Sequence, residues 1–278
     1  MKRVLIVVFC VIALCSLLAV PLLLQSAPAP TPTPAPSDLQ RAVENAIDFF
    51  EESHQPYEPY TLLMLNVVYR RFGIAAFADA LQQYDRLADE NPDQAPLLRV
   101  FRRIADHNNT LKAGDLQAVK DEGDRITVPA LYCDRLELPS DYPAMLEQAA
   151  GLGNYMLTHV LLASIWIKEN GCEVPMPNGF IEGIYDSSAV LISGRYPVVN
   201  DLELEAAAFL YLAGQGALVD HAFVDRVIAV QNYDGGWLSS SDKPGDSDWH
   251  TTVLALLLLL HVEFPANSYP PMLASASP

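Results

Sequence analysis

The chain has 278 residues, of which 51% are hydrophobic. That is room for one large folded domain and the composition of a globular rather than a disordered protein. Only Lys2 and Arg3 are charged among the first 37 residues, so of 17 basic and 34 acidic side chains the rest of the chain keeps 15 and 34, a formal charge of −19. Such a surface repels phosphate backbones and argues against nucleic acid as a partner, while cations, basic peptides and neutral or apolar ligands stay open.

Residues 1–26 read as a signal anchor. Lys2 and Arg3 precede an uncharged apolar stretch from Val4 to Leu24, long enough as a helix to cross a hydrocarbon layer about 30 Å thick. The positive end is expected to stay in the cytoplasm, which leaves the C-terminal domain extracytoplasmic. Proline follows both Ala27 and Ala29 and hinders cleavage there, so an uncleaved anchor is favoured over a cleaved signal. Leu14 before Cys15 and Phe9 before Cys10 are too bulky for lipoprotein attachment. Residues 27–37 alternate proline with small residues, a pattern that favours an extended spacer on the order of 30 Å long.

Residues 38–278 carry helical patterning. Ser37, Asp38 and Gln40 resemble a capping box ahead of Leu39, Val43, Ala46, Ile47 and Phe50 at helical spacing. Beyond a break at Gln55-Pro56, Tyr60 to Phe72 is apolar on nearly every side, as in an enclosed helix. The alternation returns. Amphipathic Asp141 to Ala150 precedes apolar Tyr155 to Ile167, Leu202 to Ala213 is apolar, and amphipathic Ala217 to Val230 precedes apolar Trp249 to Val262. The inner-helix starts near Tyr155, Asp201 and Asp248 recur at a fixed interval, which predicts an all-α fold of stacked helical hairpins. Residues 108–140 interrupt the period as a divergent hairpin or long loop, with Ile126 to Tyr132 a short strand candidate broken by Pro129. Of the cysteines outside the anchor, Cys133 and Cys172 either form one disulfide or remain as two buried thiols.

One motif carries a resemblance. Gln231-Asn-Tyr-Asp-Gly-Gly-Trp237 lies between an amphipathic helix and an inner one, and matches a Gln-x3-Gly-x-Trp repeat. At a helix end the Gln bonds loose backbone groups, the glycines allow a tight turn and the Trp covers the hairpin. Over roughly residues 150–263 the chain resembles the squalene and terpenoid cyclases and protein prenyltransferase β subunits. This resemblance implies an αα-toroid-like fold, as a closed or an incomplete ring, with Gln231, Asp234, Gly235, Gly236 and Trp237 in a structural role.

The same family makes chemistry doubtful. Its cyclases protonate their substrate from an Asp-x-Asp-Asp cluster, and Asp246-Ser-Asp248 is followed here by Trp249. Complement-type thioester domains share a similar toroid, but Gly171-Cys172-Glu173 lacks the rest of their motif. Asp242-Lys-Pro-Gly245 followed by Asp248-Trp-His250-Thr251 is similar to the prenyltransferase stretch whose His binds zinc. The earlier Asp-x-Cys of that family reads Asp201-Leu-Glu203 here. The resemblance thus implies a possible zinc site at Asp201, Glu203 and His250, with Glu in place of the thiolate. The structural alternative makes Asp201 an N-cap, Glu203 a first-turn acid and His250 a polar residue near a cap.

In a toroid the inner-helix starts face one pocket, so Thr158, His159, Glu205, Trp249, His250 and Thr251 are expected to line a ligand cavity. Tyr60, Tyr155, Trp166 and Trp249 are read first as packing groups. Nucleophile elbows, zinc-protease motifs and phosphate or dinucleotide loops are absent from the sequence. The many acids single out no glycosidase pair. The expected function is a binding or scaffold module for an apolar, peptide or glycan ligand, with a metal-dependent transferase or hydrolase as the alternative.

Overall fold

The computed structural model describes residues 37–52, 58–194, 198–242, 244–266 and 268–275. Two units divide the chain, Met1–Ala35 and Pro36–Pro278, and the described residues all lie in the second. The expected anchor and nearly all of the proline spacer fall outside the described residues. Among the described residues no helix is long and apolar enough to cross a membrane.

The described residues are all-helical, with eleven α-helices and no strand. In chain order they are α1 (Asp38–Glu52), α2 (Pro59–Phe72), α3 (Ala80–Glu90), α4 (Ala95–Phe101), α5 (Glu122–Leu131), α6 (Tyr142–Leu152), α7 (Asn154–Glu169), α8 (Phe180–Ile192), α9 (Asp201–Leu212), α10 (His221–Ala229) and α11 (Trp249–Glu263). Local chemistry sets many of the ends. Ser37 and Gln40 exchange side-chain to backbone hydrogen bonds at the head of α1. Pro59 opens α2 and Gly73, at φ +72°, closes it. Asp121, Asn200, Asp220 and Asp248 cap α5, α9, α10 and α11 through their side chains.

Burial separates inner from outer helices. α11 is buried from Thr251 to His261 and α9 from Leu204 to Leu210, whereas α1 buries only Ala42, Val43, Ala46 and Phe50. Each core leucine removed from water contributes about 1.5–3 kcal/mol, so these apolar runs hold the centre of the domain. α7 packs on α5 and on α9, and α11 packs on α9 and on α2. α6 covers α7, α8 lies on α7 and α9, and α1 rests on α11 and touches α10.

The five inner helices run the same way. Their starts meet, because Tyr60 of α2 reaches Asp124 of α5, Tyr155 of α7 reaches Asp201 of α9, and His250 of α11 faces Asp201 and Glu205. Their ends meet too. Arg71 donates to His261, and the Asn170 side chain donates to the carbonyls of Ala130 and Leu131. Cys133 and Cys172, just past the ends of α5 and α7, are joined by a disulfide with Cα atoms 6.2 Å apart.

Three expectations change. Ile126 to Tyr132 is not a strand: residues Glu122–Leu131 are helical, with Pro129 inside. Proline there loses one hydrogen bond in the last helical turn. Burial of Ile126, Val128, Ala130 and Leu131 against α7 outweighs that loss. The expected helix from Ala217 to Val230 is divided into a 3-10 turn at Gly216–Leu218 and α10, which starts again at the Asp220 cap. Third, the cap of α9 is Asn200, not Asp201: Asn200 accepts from the Glu203 backbone while Glu203 Oε2 accepts from the Asn200 N–H, both at 3.0 Å.

The Gln-Gly-Trp segment works as a joint. Gln231 donates at 2.8 Å to the carbonyls of Ala42 and Gly235, tying the turn to α1. Gly235 has φ +87°, and a Cβ on it would sit 2.3 Å from the Asn45 carbonyl oxygen, so only glycine fits. Asp234 accepts from the Gly236 N–H and the Ser247 hydroxyl. Trp237 is buried, donates its indole N–H to the Val227 carbonyl and its backbone N–H to the Thr252 hydroxyl of α11.

Candidate functional site

A cavity of about 1040 Å³ opens between the inner helices, with walls from α2, α4, α5, α7, α9 and α11. One helical turn separates residues four apart, so the walls read in layers. Tyr60, Tyr155, His159, Asp201, Glu205 and His250 occupy first or second turns and form a polar mouth. The next turn inward carries Leu63, Met64, Leu162, Phe209 and Leu254, and Trp166 with Met272 lies deeper still. At the far end the Trp166 indole N–H meets Met272 Sδ at 3.3 Å.

The sequence expectations divide at this mouth. His159, Glu205 and His250 line the cavity. Thr158, Trp249 and Thr251 do not. Thr158 is fully buried and its hydroxyl donates to the Tyr155 carbonyl. Trp249 turns outward onto Phe49 and Phe50, with ring centroids 4.9 and 5.8 Å away. Thr251 is buried beneath the mouth and donates to Asp201 Oδ1 at 2.9 Å and Asp248 Oδ1 at 2.8 Å, orienting Asp201. Each neighbours a lining residue in sequence, but one helical step rotates a side chain about 100° off the face.

The acid set is corrected in the same way. The expected zinc trio was Asp201, Glu203 and His250, whereas the three side chains that converge are Asp201, Glu205 and His250, with ligand atoms all within 4.8 Å of one another. Residues two apart on a helix face away from each other, and residues four apart share a face. Glu203 is occupied in the α9 capping box. Tyr60, Tyr155 and Trp166 border the cavity as well, with Trp166 packed in the core and Tyr60 edge-on to Phe101, and Asp124 and Gly123 join them from the divergent segment, which is helical there.

His250 Nε2 lies 3.5 Å from Glu205 Oε2 and 3.9 Å from Asp201 Oδ1. Desolvation opposes its charge, but Glu205, Asp201 and Asp248 outweigh that and raise its pKa. Burial raises the pKa of Asp201, and the positive end of His250 partly offsets it. Asp124 is likewise raised, by burial and by neighbouring Asp121.

His159 is fixed differently. Its Nδ1 lies 2.7 Å from the Tyr155 carbonyl, which can only accept, so Nδ1 carries the proton. The opposite edge of the ring lies against Gly123, where a Cβ would come within 2.3 Å of Cδ2 and 2.4 Å of Nε2. Gly123 is therefore what lets the ring sit between α5 and α7. Glu205 completes the mouth with a side chain only 5% exposed, and its Oε1 has no hydrogen-bond partner.

Chemically, the arrangement offers a long apolar interior, an acceptor-rich entrance and three donor groups of the type that hold a divalent ion. No protein-family model, curated protein or solved structure matches this chain.

Proposed function

We propose that this chain is a membrane-anchored, extracytoplasmic binding or scaffold module with an αα-toroid-like domain that takes the apolar part of a ligand between its inner helices. The observation that carries the reading is the cavity of about 1040 Å³, apolar in depth and polar only at the helix starts. Ligand pockets have this size and this mixture of apolar wall and few convergent polar groups. The Cys133–Cys172 disulfide supports an oxidising compartment, in keeping with export behind the apolar N-terminal run. The Gln231 to Trp237 joint supports the likeness to the terpenoid cyclase and prenyltransferase repeat.

The test is calorimetric titration of the full chain in lipid nanodiscs with 1-hexanol, against empty nanodiscs. Saturable binding is expected in the parent, with at least a tenfold loss in Leu162→Trp, which fills the middle layer. Equal binding by parent and variant places the ligand elsewhere and sinks the reading.

A second reading rests on the convergence of Asp201, Glu205 and His250. Two carboxylates and an imidazole suit zinc or a similar divalent ion and leave a position open. A bound ion would supply Lewis acidity for a transferase or hydrolase reaction. Metal analysis of the purified chain tests it: one zinc per chain that is lost in His250→Ala supports it, and none ends it.

A further inference from the structure

We propose that Glu205 is the receptor for a primary ammonium group, so that the cavity takes an alkylammonium: a positively charged amine at the mouth with its hydrocarbon stem directed inward. The inference rests on the cavity reading above and names the class of ligand.

Three observations lead there. The first is Glu205 Oε1 itself, a buried and unbonded acceptor on a side chain only 5% exposed, in a residue that lines the cavity. His159 Nδ1 stands 3.9 Å from Glu205 Oε1, but that nitrogen is committed to the Tyr155 carbonyl. A buried acceptor without a partner is unfavourable, and a bound donor recovers that cost. By contrast Asp201 has both oxygens engaged, by Thr251 and by Tyr155.

The second is the sign of the mouth. Asp121, Glu122, Asp124, Asp201 and Glu205 border the cavity against Lys120 as the one permanent cation there among the described residues. A carboxylate or phosphate head is repelled, and an ammonium is attracted. The third is what lies below. Leu162, Phe209 and Leu254 stand one turn inward of His159, Glu205 and His250, so an aliphatic chain extends directly from the charged group into apolar wall.

Geometry also separates amine from guanidinium. A guanidinium fork is recognised by two parallel bonds to both oxygens of a carboxylate. Glu205 Oε2 already lies 3.5 Å from His250, leaving one oxygen for a point charge. An ammonium has three donors around one centre and needs no fork.

The experiment compares hexylamine, 1-hexanol and hexanoate by calorimetry with the full chain in lipid nanodiscs at pH 7 and 150 mM salt with EDTA, subtracting empty nanodiscs. The amine, with a pKa near that of lysine at about 10.4, is charged there. Hexylammonium is expected to bind at least tenfold more tightly than hexanol, and hexanoate more weakly than either. Glu205→Gln is expected to shrink the advantage of the amine over hexanol, measured on the same variant, to less than twofold. Glu205→Asp, which withdraws the carboxylate by one methylene, serves as a second variant and is expected to cut the preference at least threefold. A lysine source is distinguished by titrating acetyl-lysine methylamide, whose binding assigns a peptide side chain and whose failure beside hexylamine assigns a free amphiphile.

Hexanol binding as tightly as the amine, or a preference that survives in both variants, overturns the inference and leaves the cavity reading standing. If none of the probes binds, both fall. A preference for hexanoate that appears when zinc replaces EDTA overturns it in favour of the metal site.

Discussion

The two ends of the inner helices hold similar groups in opposite states. At the helix ends, Glu169 accepts from the backbone N–H groups of Met272 and Leu273 at 2.8 Å, Arg70 donates to the Met272 carbonyl at 2.6 Å, and His261 is held between Arg71 and the Leu257 carbonyl. The C-terminal segment thus straps that end, with Met272 and Leu273 buried beneath it. At the helix starts, Glu205 is more buried than Glu169, Arg70 or Arg71, yet it lines a cavity and one of its oxygens is unbonded. Buried atoms of Thr61, Arg103, Ser188 and Arg226 also lack partners, but Glu205 is the one among them whose residue lines the cavity and whose unbonded atom is a carboxylate oxygen.

The largest expected effect falls on the strapped end. Reducing the Cys133–Cys172 bridge, which spans 39 residues, is expected to lower stability by about 4 kcal/mol in urea unfolding, through the loop entropy returned to the unfolded chain. Hexanol affinity at the other end should hold. A loss under about 1 kcal/mol removes the bridge from the account of that end.

Next comes a matched pair of substitutions. Glu169→Gln keeps shape but replaces one of the two accepting oxygens with an amide donor, so one bond to the strap is lost and the other loses its charge, and about 2 kcal/mol of stability should be lost. Glu205→Gln gives up only the 3.5 Å contact with His250, and a loss of under about 1 kcal/mol is expected. Equal losses in chemical denaturation would erase the distinction between the ends.

The histidines sharpen it through pH. Burial and Arg71 hold His261 down to about 3. Below the ordinary value of about 6.5 the unfolded chain takes up a proton that the folded one refuses, so stability is lost as pH falls from about 6.5 towards 3, about 2 kcal/mol of it by pH 5. His250 has a raised pKa and the opposite sign: its contribution is present below about pH 6.5 and disappears as pH rises through its folded value. Thermal melts from pH 5 to 8 should therefore lose acid sensitivity in His261→Asn and gain relative acid sensitivity in His250→Asn.

The smallest effect is expected at Gly123. Its alanine variant adds a methyl against the His159 ring, which has solvent on its cavity side to move into. Stability should change by less than about 1 kcal/mol while hexylammonium affinity falls severalfold. Unaltered affinity means that the position of His159 is irrelevant to the mouth.

Much of the inner layer was legible because its helices are apolar on every side, which periodicity and length register directly. α2, α7, α9 and α11 fall where the apolar runs place them, and the start of α1 follows from Ser37 and Gln40. The segment holding α5 is legible only as a choice between a divergent hairpin and a loop, since Pro129 argues for a break and packing against α7 retains the helix. The cap of α9 was displaced by one residue because Asn200, Asp201 and Glu203 are all good first-turn residues, and the choice among them is made by the reciprocal bonds. Glu205 was readable as a cavity residue, but its partnership with Asp201 and His250 lay in helical phase: position i+4 rather than i+2 shares the face of Asp201. The unbonded oxygen that sets Glu205 apart has no signal in sequence at all.

The central claim is best tested by crystals of the full chain soaked with 6-bromohexylamine and measured at the bromine edge. The account predicts an anomalous bromine peak among Leu162, Phe209 and Trp166, with the ligand nitrogen about 2.9 Å from Glu205 Oε1. Bromine found only on the outer surface, or an inverted ligand with its nitrogen at Trp166, would contradict it.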